Sequence, residues 1–254
     1  MKKIQLYGLF RTGSCYFAKL LEDNFHAKVH HEGDENHLNE NGFCINWKHG
    51  PYVGHTLKEE FPMVIITKDP YAWLVSCYNY WRKFPLGPEI KDFTFEQFVM
   101  SSPCRLEGSS TVPYMQRANN IMQYYWNSYY HWTSVRSTPF FVMQYEAILE
   151  DAEKAFTQLA NCFELEPRSK FENIDKNVLW NQRTMAKGDD YHNNLAEGIR
   201  ETDFDRTYYN DKEYMSYYSD ELLEYIEKEW DFDLGNKLAY GVKKPRPMAL
   251  SGEG

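Results

Sequence analysis

Three short stretches carry residue types able to do chemistry. The first is Gly8-Leu9-Phe10-Arg11-Thr12-Gly13-Ser14-Cys15, with four residues between its glycines and a cation and hydroxyls around the second. Backbone N–H groups of such a loop, opening onto a helix, form an anion site. The glycine spacing is that of a nucleotide P-loop, but the Lys-Ser/Thr pair that would follow the second glycine is replaced by Ser14-Cys15. A kinase loop places that lysine on the terminal phosphates and the next hydroxyl on magnesium. Here the cation is Arg11, inside the loop, which suits an oxyanion held without a metal. The second stretch, Thr67-Lys68-Asp69-Pro70-Tyr71-Ala72-Trp73-Leu74-Val75-Ser76, sets a cation and a hydroxyl eight residues apart. A charge-assisted contact from Lys68 and a hydroxyl from Ser76 can grip one phosphate. The third is Trp47-Lys48-His49-Gly50-Pro51, whose imidazole is a candidate general base.

The elements that must position these residues follow from periodicity. Residues 3–9 read as a buried strand ending in a glycine turn, and Phe17, Leu20, Leu21 and Phe25 predict a helix over 14–25. Ala27–His31 and Phe43–His49 read as short strands, the latter closed by Gly50-Pro51. The β-branched run Met63–Thr67 predicts a central parallel strand, with Pro70 opening the next helix. A long helix rich in Tyr and Trp is expected over 114–134, a strand at Phe140–Gln144 and an amphipathic helix over 151–164. Residues 180–212 read as loop or lid, and Ser219 as the N-cap of a final helix to about residue 230. The expected fold class is α/β: a single domain over 1–240, a mostly parallel central sheet flanked by helices, and a tail over 241–254. In such sheets ligands bind beyond the carboxyl ends of the strands, where all three stretches lie.

Arg11-Thr12-Gly13-Ser14-Cys15-Tyr16 resembles the 5′-phosphosulfate loop of sulfotransferases dependent on 3′-phosphoadenosine 5′-phosphosulfate (PAPS), written Lys-Ser-Gly-Thr-Thr-Trp with Arg-Ser-Gly-Ser variants. The Lys68–Ser76 stretch resembles that family's 3′-phosphate motif, Arg-Asn/Asp-Pro followed by a serine on the next helix, with the same separation. Trp47–Pro51 resembles its Lys-Thr-His-x-Pro segment, and Tyr145-Glu146-Ala147-Ile148-Leu149 its Tyr-Glu-x-Leu scaffold. The resemblance covers about residues 3–165 and implies a P-loop-like sulfotransferase fold. It gives Arg11 the cation position and lets Thr12, Gly13, Ser14 and Cys15 cradle the 5′-phosphosulfate. Tyr16 then supports the adenine, Lys68 and Ser76 take the 3′-phosphate, His49 is the base and Lys48 meets the leaving oxygen. The departures are informative. Lysine at 68 lacks the bidentate fork of arginine. Lys48 and His49 are adjacent, so regular pleating points them oppositely unless the chain bends at Gly50-Pro51. His31, Glu32 and then His55 are the alternative bases. The family's late Arg-Lys-Gly contact has only weak counterparts in Arg183 and Lys187-Gly188.

Bulk composition narrows the partners. Of 254 residues, 37 are acidic and 28 basic, a net charge of −9, which disfavours nucleic acid and anionic membranes. Mean hydropathy is −0.68 and no run of 18 apolar residues occurs. The five cysteines are scattered, without C-x-x-C or a metal-ligand cluster, so no metal is expected and a reducing cytoplasm fits. Aromatic and acidic stretches at 105–135 and 180–212 suit a small, cationic acceptor, and the resemblance implies natural-product tailoring, a role sulfotransferases of this kind often have in bacteria. A small-molecule kinase with a degenerate loop and a non-catalytic sensor of 3′-phosphoadenosine nucleotides are the competing readings.

Overall fold

Val64-Ile65-Ile66 and Ile4-Gln5-Leu6-Tyr7 are runs that suit strands covered on both faces, and both sit at the centre of a sheet. The computed structural model describes residues 1–30, 61–82, 88–102, 118–134, 139–173 and 206–240. Strands β1 (Lys2–Tyr7), β2 (Ala27–His30), β3 (Met63–Thr67) and β4 (Phe140–Gln144) form one all-parallel sheet in the order β2-β1-β3-β4. Tyr7 lies opposite Ile65, and Thr67 opposite Gln144. The chain leaves β1 toward β2 on one side and later returns to place β3 on the other. The connections therefore diverge between β1 and β3, the point where open α/β sheets form a ligand crevice.

Side chains alternate along β1 and β3, and each face feeds its own core. Ile4, Leu6, Val64 and Ile66 pack with helix α1 (Ser14–Asn24), α6 (Tyr145–Glu150) and α7 (Ala152–Phe163). Tyr7, Met63 and Ile65 pack with α2 (Pro70–Trp81), α4 (Phe95–Met100) and α5 (Ile121–Thr133). The short α3 (Pro88–Lys91) precedes α4. After residue 205 come α8 (Arg206–Asn210), a 3-10 turn (Glu213–Tyr217), α9 (Asp220–Lys228) and α10 (Phe232–Lys237). Apolar residues of this C-terminal part close the α2–α5 core.

Several sequence expectations change in detail. The expected helix over 114–134 is described from residue 118 on, and there it starts at Ile121, because Asn120 is extended and its side chain accepts from Gln123 N as the cap. Within 180–212, residues 206–210 are helical, which the polar composition concealed. Ser219 does cap α9, accepting from Leu222 N, but α9 is not the last helix: Asp231 caps α10 in the same way. The expected strand Phe43–His49 and the tail over 241–254 lie outside the described residues.

Candidate functional site

The candidate site at this divergence point is built from three β-to-α corners. At the first, Gly8 passes so close to β3 that an added Cβ would overlap the Ile66 side chain and lie 2.9 Å from Ile66 O. Only glycine fits there. Thr12 closes the turn, donating from Oγ1 to Leu9 O at 2.7 Å. Arg11 and Gly13 adopt left-handed conformations, with φ of 66° and 82°, and Gly13 is the N-cap of α1. Helix α2 holds the loop from the side: Trp73 Nε1 donates to Phe10 O at 2.7 Å, and the Cys77 thiol faces the same oxygen. Burial pushes that thiol up to about 12, so Cys77 is a packing residue rather than a nucleophile. Arg11 is exposed, with its guanidinium 4.8 Å from the Tyr80 ring centroid.

The second corner follows β3. Asp69 caps α2, accepting from Tyr71 N at 2.8 Å and Ala72 N at 3.2 Å, while Pro70 takes the first helical position. Lys68 is only 1% exposed. Its Nζ donates to Tyr209 Oη at 3.0 Å and, at 3.4 Å, to the carbonyl oxygen of Arg11. The rings of Tyr145 and Tyr209 lie 4.9 and 4.5 Å from the same nitrogen. The two corners named from sequence therefore touch. Two tyrosines of α5 fix the strand end beneath them: Tyr125 donates to Lys68 O at 2.6 Å and Tyr129 to Ile66 O at 3.0 Å. Burial raises both phenols well above their ordinary range, which keeps them as donors.

The third corner, after β4, joins the other two. The Tyr145 ring covers Gly13 so closely that a Cβ there would run into it. Glu146 accepts from Asp69 N at 2.9 Å and from the Tyr240 hydroxyl at 2.9 Å. Burial raises the Glu146 carboxyl, and the nearby Asp69 charge raises it further. Asp69 is raised by burial too, against the pull of its backbone donors. Among the described residues the single ion pair is Lys19–Asp23, so neither Arg11 nor Lys68 has a carboxylate within salt-bridge distance there. Two cations at the openings of two helices, one enclosed and one exposed, make a centre suited to phosphate or sulfate groups.

The remaining sequence candidates divide clearly. Thr12 in the loop and Ser14 at the start of α1 are buried, and Cys15 beside it is half-buried. Tyr16 is buried with the α1 core, and its hydroxyl donates to Asn173 Oδ1 at 3.0 Å. Ser76 is half-buried on α2, and its hydroxyl has no hydrogen bond among the described residues. Lys48, His49, His31, Glu32, His55, Arg183 and Lys187-Gly188 lie outside the described residues. Sequence reasoning treated Tyr145 and Glu146 as scaffold and missed Tyr209 and Tyr240. The first pair had a usable signal, being the two residues directly after a parallel strand. Tyr209 and Tyr240 reach the site across 141 and 94 positions from Lys68 and Glu146, and nothing local marks them.

No helix among the described residues is long and apolar enough to cross a membrane, and no group of His, Cys, Asp and Glu there is arranged to hold a metal. Compared with protein-family models, curated proteins and solved structures, the chain matches none.

Proposed function

We propose that this protein is a PAPS-dependent sulfotransferase of P-loop-like fold that transfers a sulfuryl group to a hydroxyl or amine of a small acceptor. The observation that carries the reading is the contact of the two corners, Lys68 Nζ to Arg11 O at 3.4 Å, at the point where the sheet's connections diverge. A nucleotide phosphorylated on both ribose ends needs two anion grips at such close quarters. In this reading Arg11, Thr12, Gly13, Ser14 and Cys15 surround the 5′-phosphosulfate, with Tyr16 beneath the adenine. Lys68 and Ser76 take the 3′-phosphate. His49 accepts the proton of the acceptor as its oxygen or nitrogen bonds to sulfur. The bond from sulfur to the bridging oxygen breaks, and its electron pair stays on the departing 3′-phosphoadenosine 5′-phosphate, neutralised by Lys48 and Arg11. No step requires a metal, in keeping with the missing Lys-Ser/Thr pair.

A small cationic metabolite, such as an amine-bearing natural product, is the proposed acceptor because the chain carries a net charge of −9. A cytoplasmic setting suits the free thiols of Cys15, Cys77 and Cys162. Calorimetry tests the donor: 3′-phosphoadenosine 5′-phosphate should bind without magnesium, and ATP with magnesium should not. The reverse result would identify a kinase and end the proposal. Transfer from radiolabelled PAPS across an acceptor panel, with His49→Ala alongside, then separates an enzyme from a sensor. A sensor binds the nucleotide and transfers nothing.

A further inference from the structure

The surroundings of Lys68 pose a problem of access. Its ammonium group is enclosed by Arg11 O, the Tyr209 hydroxyl and the rings of Tyr145 and Tyr209. A phosphate oxygen must come within about 2.9 Å of Nζ to make a charge-assisted bond. One of the present neighbours therefore has to leave. Arg11 O belongs to the backbone of the loop that Trp73 and Thr12 hold in place. Tyr145 is 5% exposed, packed in the α1 core and seated against Gly13. Tyr209 differs from both: it is half-buried, and it stands on α8, a five-residue helix with no buried residue.

The segment behind Tyr209 is anchored independently of it. Tyr214 is buried in the α2–α5 core, and the Tyr218 hydroxyl donates to Tyr71 O at 2.7 Å. The strap can thus stay docked on α2 while its tip moves. Tyr209 also packs at the edge of both cores and meets Tyr145 edge-on at 5.5 Å and Tyr208 at 5.3 Å, so the side chain that swings is a half-buried one at the margin and not a member of either interior.

We propose that Tyr209 is an internal competitor for the 3′-phosphate at Lys68, a phenol that plugs the anion site and must swing out before the nucleotide binds. The proposal rests on the donor reading above and adds its regulation: donor affinity is set by the balance between phenol and phosphate on one ammonium group. A binding-competent state that is only partly populated lowers apparent affinity by that fraction.

The test is calorimetry on the full chain and on Tyr209→Phe, which keeps the ring and removes the hydroxyl. Losing one hydrogen bond to a charged group from the plugged state should tighten binding of 3′-phosphoadenosine 5′-phosphate by about tenfold. Adenosine 5′-phosphosulfate, which lacks the 3′-phosphate, should bind both proteins equally. Unchanged or weaker binding of the bisphosphate by Tyr209→Phe, with wild type binding it well, overturns the plug and leaves the donor reading intact. Equal tightening for both nucleotides also overturns it, because the effect would not act through Lys68. Absence of bisphosphate binding to either protein refutes the donor reading and the plug together. Circular dichroism and a urea midpoint matching wild type show that the variant is folded.

Discussion

Gly13→Ala is the sharpest test of how the anion loop is held. Two separate costs can be worked from the structure. At φ of 82° an alanine pays for the left-handed conformation, about 1–2 kcal/mol. Its Cβ would also run into the Tyr145 ring, which is buried and has little room to retreat. Forcing such a group into a packed site costs about 1–3 kcal/mol. Together the expected loss is roughly 2–5 kcal/mol, a large part of the stability of an ordinary domain. Equilibrium urea unfolding measures it. Pairing with Tyr145→Ala separates the two terms, because the double variant keeps the backbone cost and loses the collision. Tyr145→Ala alone leaves a cavity and should cost about 3–5 kcal/mol. The double variant should then be more stable than the sum of the singles predicts, by about 1–3 kcal/mol. Gly13→Ala within about 0.5 kcal/mol of wild type, or full additivity in the cycle, would refute the close seating of Tyr145 on the loop.

Three further outcomes are expected. Lys68→Met should weaken 3′-phosphoadenosine 5′-phosphate binding at least about tenfold by calorimetry, the value of one charge-assisted contact. Because it removes a buried cation that has no ion pair among the described residues, its urea stability should stay within about 1 kcal/mol of wild type. For Glu146→Gln the sign follows from the raised carboxyl: the folded state binds the proton more tightly than the unfolded chain does. That contribution is present below the ordinary glutamate range and is lost as pH rises toward the folded value. The glutamine variant cannot titrate there, so its stability relative to wild type should rise with pH, read from urea midpoints between about pH 4 and pH 8. A flat difference would show that the carboxyl is not raised. Trp73→Phe strips the donor from Phe10 O and should cost about 1–3 kcal/mol while leaving α2 helical by circular dichroism.

How much of this was legible beforehand depended on whether the signal was local. Met63–Thr67 reads as a strand because five consecutive apolar or β-branched residues admit little else, and the structure places that strand at those residues. The six apolar positions of α7, from Ala152 to Phe163, are all buried, since one amphipathic face against one sheet fixes both ends. Arg11 and Lys68 were recognisable as a pair because each sits on a strand-to-helix turn, and the parallel sheet brings those turns to one edge. That edge rule also covers Tyr145 and Glu146, whose aromatic and polar types by themselves fit a framework role as well as a site role. Tyr209, Tyr240 and Tyr125 were out of reach, because their roles arise only when distant helices fold back over the strand ends. The enclosure of Lys68 was unreadable for the same reason: its surface exposure is decided by residues more than 50 positions away.

Each face of the sheet carries its own packed interior, and the loop after β1 and the lysine after β3 meet on the seam between them. An occupant gripping both would bolt the two halves together. Slowed amide hydrogen exchange should then spread from α1 on one face to α2 and α5 on the other, well beyond the atoms touched. A bystander ion on the surface would leave both interiors breathing as before.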